Sequence, residues 1–371
     1  MSSPLKQLSE EGVSIWLDDL SRHRLISGDL EDRIRAGEVV GVTTNPAIFH
    51  KALRDVSSYE LQLRELAQLG IARADVLRIL TCHDVRDACD LLRPVYESTD
   101  AQDGRVSIEV DPAWAHDTQR TVAEARLLWW LVDRPNAMIK IPATPAGLRA
   151  FTACLAEGIS VNVTLIFSRE RYREVIDAHL DGMEMAHANG HDLSKIASVA
   201  SFFVSRVDTE VDRRLDAIDS GAARALRGHA AIANARLAYE TFEQTLRDSR
   251  WAKLTQLGAQ PQRPLWASTG VKDPTYDDTR YVIDLVAPAT VNTVPEATLA
   301  AVADHGQVRG DRITGRYAEA RDVIDELAGL GIDIEEVAGQ LEREGILAFQ
   351  EAWRELTADV AKALTEFAPQ T

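Results

Sequence analysis

Cysteine is scarce: Cys82, Cys89 and Cys154 are three residues in 371, an odd number with no CxxC pair. That argues against a disulfide-stapled secreted framework and for a reducing compartment. Basic charge is also in deficit, with 41 Lys and Arg against 58 Asp and Glu, for a net charge of −17. A field of that sign repels polyanions, so neither nucleic acid nor an anionic membrane is expected as a main partner. An anionic small substrate would need a local positive site. No apolar run approaches the ~18–20 residues that span a bilayer. The opening segment MSSPLKQLSEEG lacks the apolar core of a signal peptide. A cytoplasmic, enzyme-sized protein is therefore expected, with no membrane partner. GxGxxG, GxSxG, Walker A and HExxH patterns are all missing.

What is present is a repeated alternation. Short, β-branched, mostly apolar runs occur at Ser14–Asp18, Val39–Thr43, Val106–Val110, Ala137–Ile141, Ile159–Val163, Ile196–Phe202, Pro264–Ala267 and Thr290–Val294. Such runs read as strands buried on both faces. Charged amphipathic segments such as Ser58–Ala67 and Trp114–Leu131 lie between them. Strand–helix alternation repeated about eight times implies parallel βαβ units. The missing GxGxxG turn disfavours an open dinucleotide-binding sheet, which leaves a closed (β/α)8 barrel. A barrel takes about 250 residues, so the chain has helices to spare. Two insertions are expected, one long Ala- and Arg-rich helical region over Val207–Arg250 and a C-terminal extension over about 313–367. With no Pro/Gly/Ser linker and no internal repeat, residues 1–371 read as one decorated domain, its barrel at about 12–300. The seven tryptophans, including Trp129 and Trp130, read as core.

In a parallel barrel, site residues project from the C-terminal strand ends, and polar residues collect there. In strand order they are Asp18 and Asp19, Thr43-Thr44-Asn45, Glu109 and Asp111, Lys140, Asn162 and Thr164, Ser201 before Arg206, Ser268 and Thr269, and Asn292. Lys140 stands out. Period-two alternation puts it on one face with Met138 and Pro142, and in a barrel neither face meets water. A buried ammonium is costly, which favours the neutral amine, and that amine attacks carbonyl carbons to give Schiff bases. By itself the residue also reads as a gatekeeper on an edge strand or a snorkelling lysine; the sheet context favours burial. Glu109 and Asp18 are candidate acid–base groups for iminium chemistry. Their ordinary readings are an arginine partner and a helix N-cap. His179, His187 and His191 lack metal-ligand spacing, and Gly190 interrupts their helix, so no metal is expected.

At Gly41–Phe49 (GVTTNPAIF), Met138–Ala150 (MIKIPATPAGLRA) and Val161–Ser168 (VNVTLIFS) the chain resembles the transaldolases, of the longer bacterial type. SIWLDDLSR, SIEVDP, ASVASFFVSRVD, WASTGVKDP and NTVPEAT extend the likeness over roughly residues 12–300. The resemblance implies a class I aldolase barrel that needs neither metal nor cofactor. Such enzymes move a dihydroxyacetone unit from sedoheptulose 7-phosphate to glyceraldehyde 3-phosphate, giving erythrose 4-phosphate and fructose 6-phosphate. It implies Lys140 as the Schiff-base lysine and Asp18 as the base for the hydroxyl proton in C–C cleavage. Glu109, with Thr164 and a bound water, is implied as the proton carrier of imine formation. Asn45 and Asn162 then hold the dihydroxyacetone hydroxyls, and Ser201, Arg206 and Ser268 face the phosphate. In many relatives an arginine follows two residues after that serine; here Gly270 stands there and Lys272 follows, a point charge in place of a bidentate fork. Strand alternation leaves Asp18 and Asp19 undecided, and the chain is expected to be a monomer or homodimer.

Overall fold

The computed structural model describes residues 3–367. Eight parallel strands close into a barrel in sequence order: β1 (Val13–Leu17), β2 (Gly41–Val42), β3 (Arg105–Glu109), β4 (Ala137–Pro142), β5 (Val161–Ile166), β6 (Ser198–Phe203), β7 (Arg263–Ala267) and β8 (Thr290–Val294). β8 returns to pair with β1 from Val13 opposite Thr290 to Leu17 opposite Val294. Every residue of β3 through β8 is buried. The inner face is packed by side chains and the outer face by helices, which is why these strands carry so little polar alternation. β2 is only two residues long, and its Gly41 lies against the indole of Trp16, where an added Cβ would come within 2.6 Å of the ring.

The N-terminal end of the barrel is stoppered by a polar cluster. Asp103 accepts from Ser14 Oγ at 2.7 Å, from Trp16 Nε1 at 3.1 Å and from Arg263 Nη2 at 2.9 Å. At the opposite end the chain turns repeatedly from strand into helix. Asn45 and Thr144 cap the helices Pro46–Leu53 and Pro145–Ala156, each with proline in the first turn, where its missing N–H costs nothing.

The extra helices are more finely divided than the sequence pattern shows. The β2–β3 connection holds three α-helices, Pro46–Leu53, Glu60–Gln68 and Arg73–Ser98, an insertion the sequence pattern did not separate. The Ala- and Arg-rich helical region expected over Val207–Arg250 is helical and is divided into Ser205–Ile218, Gly221–Leu226 and Ala230–Thr245. Asp219, in left-handed conformation (φ 48°), ends the first of these. The C-terminal extension consists of Tyr317–Gly329 and the long helix Ile334–Phe367. Trp130 is not core: it is 73% exposed. All three cysteines are buried and unpaired. His179 lies between Phe151 and Trp251, and burial pushes its pKa down to about 4, as befits a neutral core imidazole. Among the described residues no helix is long and apolar enough to cross a membrane.

Candidate active site

Three adjacent strands build the centre. Glu109 of β3 is the register partner of Lys140 of β4, and Lys140 is in turn the partner of Asn162 of β5. One row across the sheet therefore carries a carboxylate, an amine and an amide. Inside the barrel Lys140 Nζ donates to the Thr44 carbonyl at 2.6 Å and lies 3.1 Å from Glu109 Oε1. Oε1 thus has the Lys140 ammonium as its close ionic neighbour. The other carboxylate oxygen is fixed: Thr44 Oγ1 lies 2.8 Å from Glu109 Oε2 and 2.8 Å from the Ser107 carbonyl. Both Lys140 and Glu109 are 5% exposed.

Asp18 follows β1 on the face shared with Ser14 and Trp16, the barrel interior. Its Oδ1 accepts from Thr43 Oγ1 at 2.7 Å, and Thr43 Oγ1 is 2.5 Å from Thr293 Oγ1. With its own proton committed to Asp18, Thr43 accepts from Thr293. Asp19 points the other way, to Arg24 and Lys51, each at 3.5 Å. The geometry thus separates two neighbours that the sequence left equivalent: Asp18 faces Lys140 and Asp19 does not.

Burial raises the pKa of both interior carboxyls above the ordinary values. For Asp18 desolvation outweighs the opposing pull of Lys140 and the Thr43 hydrogen bond. For Glu109 it outweighs Lys140 and Thr44. Arg206, above them, is pushed down by burial and held up by the charges of Asp18 and Glu344. Carboxyls raised in this way can both give and take protons nearer neutrality.

The remaining expected residues divide into those at the centre and those at the rim. Asn162 Nδ2 donates to Ser107 Oγ at 3.0 Å while its Oδ1 accepts from Ser201 Oγ at 2.7 Å, so the amide orientation is fixed from both ends. Ser201 therefore belongs with Asn162. Ser268, in left-handed conformation (φ 56°), lies with its Oγ 3.0 Å from Ser205 Oγ, beside Arg206 at the start of the helix Ser205–Ile218. Lys272 is exposed on the loop beyond Ser268. Asn45 spends its Oδ1 on the N–H of Ile48 at 3.0 Å. Asn292 is a correction: as the partner of Ile15 it points into the helix layer, where it donates to the Tyr281 carbonyl at 3.0 Å. β8 contributes Thr293 to the interior instead.

Thr164 Oγ1 is buried without a hydrogen-bond partner, next to a register shift in β5 between Val163 and Ile166. Leu165 takes φ 62° there, a conformation that costs a non-glycine residue about 1–3 kcal/mol. The bulge lets two consecutive side chains, Thr164 and Leu165, line one cavity, which a regular strand forbids. That cavity, about 10 Å³ and so no roomier than a single water, is also lined by Lys140, Glu109 and two residues of the C-terminal helix, Ile346 and Phe349. Sequence reasoning missed Ser107, Ser205 and the helix residues. Only the TTNP segment carried a local signal for Thr43 and Thr44.

An amine held beside one carboxylate and facing a second, in an enclosed barrel mouth, is equipped to condense with a carbonyl compound and move protons around the adduct. The comparisons agree. A Transaldolase/Fructose-6-phosphate aldolase family model matches residues 15–360, well beyond the 12–300 over which the motifs lie. The protein named Transaldolase from Acidothermus cellulolyticus is 60% identical over 364 residues, 98% of either chain. Its counterpart in Thermobifida fusca is also 60% identical, over 98% of this chain and 99% of its own. Transaldolase 2 of Streptomyces coelicolor is 57% identical over 100% of this chain and 99% of its own. With relatives this similar over their whole length and a family model covering nearly all of it, the chain belongs to the transaldolase/fructose-6-phosphate aldolase family.

Proposed function

We propose that the enzyme transfers a dihydroxyacetone unit from sedoheptulose 7-phosphate to glyceraldehyde 3-phosphate through a Schiff base on Lys140. The observation that carries this reading is the interior row Glu109–Lys140–Asn162 with Asp18 facing it. The Lys140 amine, its extra proton passed to Glu109, adds to the C2 carbonyl of the ketose. Glu109 returns that proton to the carbinolamine oxygen, which leaves as water, and Thr164 steadies the leaving oxygen. Asp18 then takes the proton of the C4 hydroxyl as the C3–C4 bond breaks. The bonding pair moves into the iminium, giving an enamine, and erythrose 4-phosphate departs. Glyceraldehyde 3-phosphate enters, the enamine carbon attacks its aldehyde, Asp18 returns the proton, and hydrolysis of the new iminium releases fructose 6-phosphate.

Asn162, oriented by Ser107 and Ser201, and the amide nitrogen of Asn45 hold the hydroxyls of the retained fragment. Ser268, Arg206 and Lys272 meet the phosphate. The barrel and its C-terminal helices act as one domain, because the last helix supplies side chains to the cavity beside the amine. The buried, unpaired thiols suit a reducing cytoplasm. Treating the enzyme with fructose 6-phosphate and borohydride should leave a reduced three-carbon adduct on the peptide containing Lys140. Mass spectrometry that finds label on another lysine, or none, overturns the mechanism.

The pH dependence follows from Asp18, which must be ionised to take the proton. Its pKa is raised, so kcat/KM should decline on the acid side from a higher pH than an ordinary carboxylate gives. The Thr43 hydrogen bond favours ionised Asp18. Thr43→Val should therefore move the acid limb further up and lower kcat/KM below it by about two- to tenfold. A limb that stays in place in a pH–rate profile argues against Asp18 as the titrating base.

A further inference from the structure

The helix Ile334–Phe367 crosses the barrel rim and is tied down along its length. At one end Gln340 Oε1 accepts from Arg214 at 2.8 Å, and Glu342 pairs with Arg171 at 3.2 Å. Gln350 Nε2 donates to the Pro112 carbonyl at 3.2 Å, and near the far end Asp359 meets His50 at 3.0 Å. Between these ties the helix presents Gly345, Ile346 and Phe349 to the mouth. Gly345 has no Cβ because Leu165 is there: one would lie 2.9 Å from Leu165 Cδ2. The strained bulge of β5 thus keys into the helix at a glycine. Ile346 and Phe349, 5% and 9% exposed, lie against the cavity that holds Lys140 and Glu109. Leu347, between them, points outward and is 63% exposed.

We propose that Ile346 and Phe349 determine the outcome of the reaction, transfer rather than release, by keeping water from the enamine; the proposal rests on the Schiff-base reading above. After cleavage the enamine has two fates. Its carbon can attack an acceptor aldehyde, forming a C–C bond. Alternatively it takes a proton from water, giving the iminium of dihydroxyacetone. Hydroxide then adds at C2, the C–N bond breaks, and free dihydroxyacetone leaves as Lys140 regains its amine. The second route consumes the one water that imine formation released, so fructose 6-phosphate is simply split into dihydroxyacetone and glyceraldehyde 3-phosphate. An apolar wall on the amine's side of the cavity withholds the proton donor and the hydrolytic water. The wall comes from the last helix and not from the barrel, so its removal leaves Lys140, Glu109 and Asp18 in place.

The test measures free dihydroxyacetone formed from fructose 6-phosphate alone, and transfer with erythrose 4-phosphate as acceptor, in Ile346→Ala, Phe349→Ala and Leu347→Ala. Borohydride labelling of Lys140 is followed in each. The expected result is a rise of about tenfold in the ratio of release to transfer for the first two, with Lys140 still labelled and Leu347→Ala unchanged. An unchanged ratio in folded, labelled Phe349→Ala and Ile346→Ala overturns the proposal, as does an equal rise in Leu347→Ala, which would mean the helix acts only by its stability. Should either alanine variant fail to fold, Phe349→Leu and Ile346→Val answer the same question with a smaller rise expected. Absence of label from the parent enzyme would instead reject the Schiff-base reading, so the two failures are distinguishable.

Discussion

Replacing Lys140 by Met should lower transfer by at least about 10⁴-fold, the scale on which covalent nucleophiles are lost, and abolish the borohydride adduct altogether. Methionine keeps most of the volume of the lysine stem, so the packed interior around Met138, Asn162 and Thr164 survives. What is lost is the only amine in the row. Removing it also strips Asp18 and Glu109 of the cation that offsets their burial, so both carboxyls should be driven further up. The variant should therefore fold, and it should be relatively more stable at mildly acid pH than the parent. Circular dichroism confirming the native helix content, beside a coupled transfer assay, checks both halves. Turnover within a hundredfold of the parent would show that the chemistry does not pass through this nitrogen.

Asp18→Asn should have the second largest effect, and it should act in opposite directions on rate and stability. The amide cannot accept the C4 hydroxyl proton, so transfer should fall by about 10²–10⁴-fold, the usual contribution of a general base. Stability should rise. The folded pKa of Asp18 lies above its unfolded value because burial dominates. A group displaced that way favours the fold fully below the unfolded pKa and loses that contribution as pH rises through the folded one. Ionising this desolvated carboxyl in the folded parent therefore carries a net cost. The amide removes that cost while keeping the shape and the partner of Thr43. Thermal unfolding at pH 7 should show the variant a few degrees more stable, the gap closing as pH falls toward about 4, the range where an unfolded aspartate titrates. A gap that widens on acidification would reverse the assigned direction.

The parts that were legible in the sequence share a physical reason. β3 through β8 are buried on both faces, so each shows as a short apolar run between charged segments, and the ends fall within a few residues of expectation. The candidate site residues stand out in the sequence because parallel strands must deliver their C-terminal ends to one place; a lysine in an apolar strand is already anomalous. What stayed hidden depends on contacts far apart in the chain. β2 is only Gly41–Val42, and at Gly41 an indole from β1 occupies the space of a side chain. Asn292 looks like another site amide until the pairing with Ile15 fixes which way it faces. The bulge at Thr164–Leu165 has no local cue, since neither residue favours a positive φ. The apolar spacing of residues 334–367 announces a helix but not the surface it lies on, and here that surface is the mouth.

Closure of the ring has a consequence for biosynthesis. β1 finds its second neighbour only when Thr290–Val294 has emerged, because Val13 pairs with Thr290. At about 5–20 residues per second, the free edge of the first strand stays open on the ribosome for roughly fifteen seconds to a minute. An unpaired apolar edge invites pairing with other chains. Nascent chains stalled before residue 290 should therefore depend most on chaperones, and the amine pocket is completed last of all, once the final helix has left the exit tunnel.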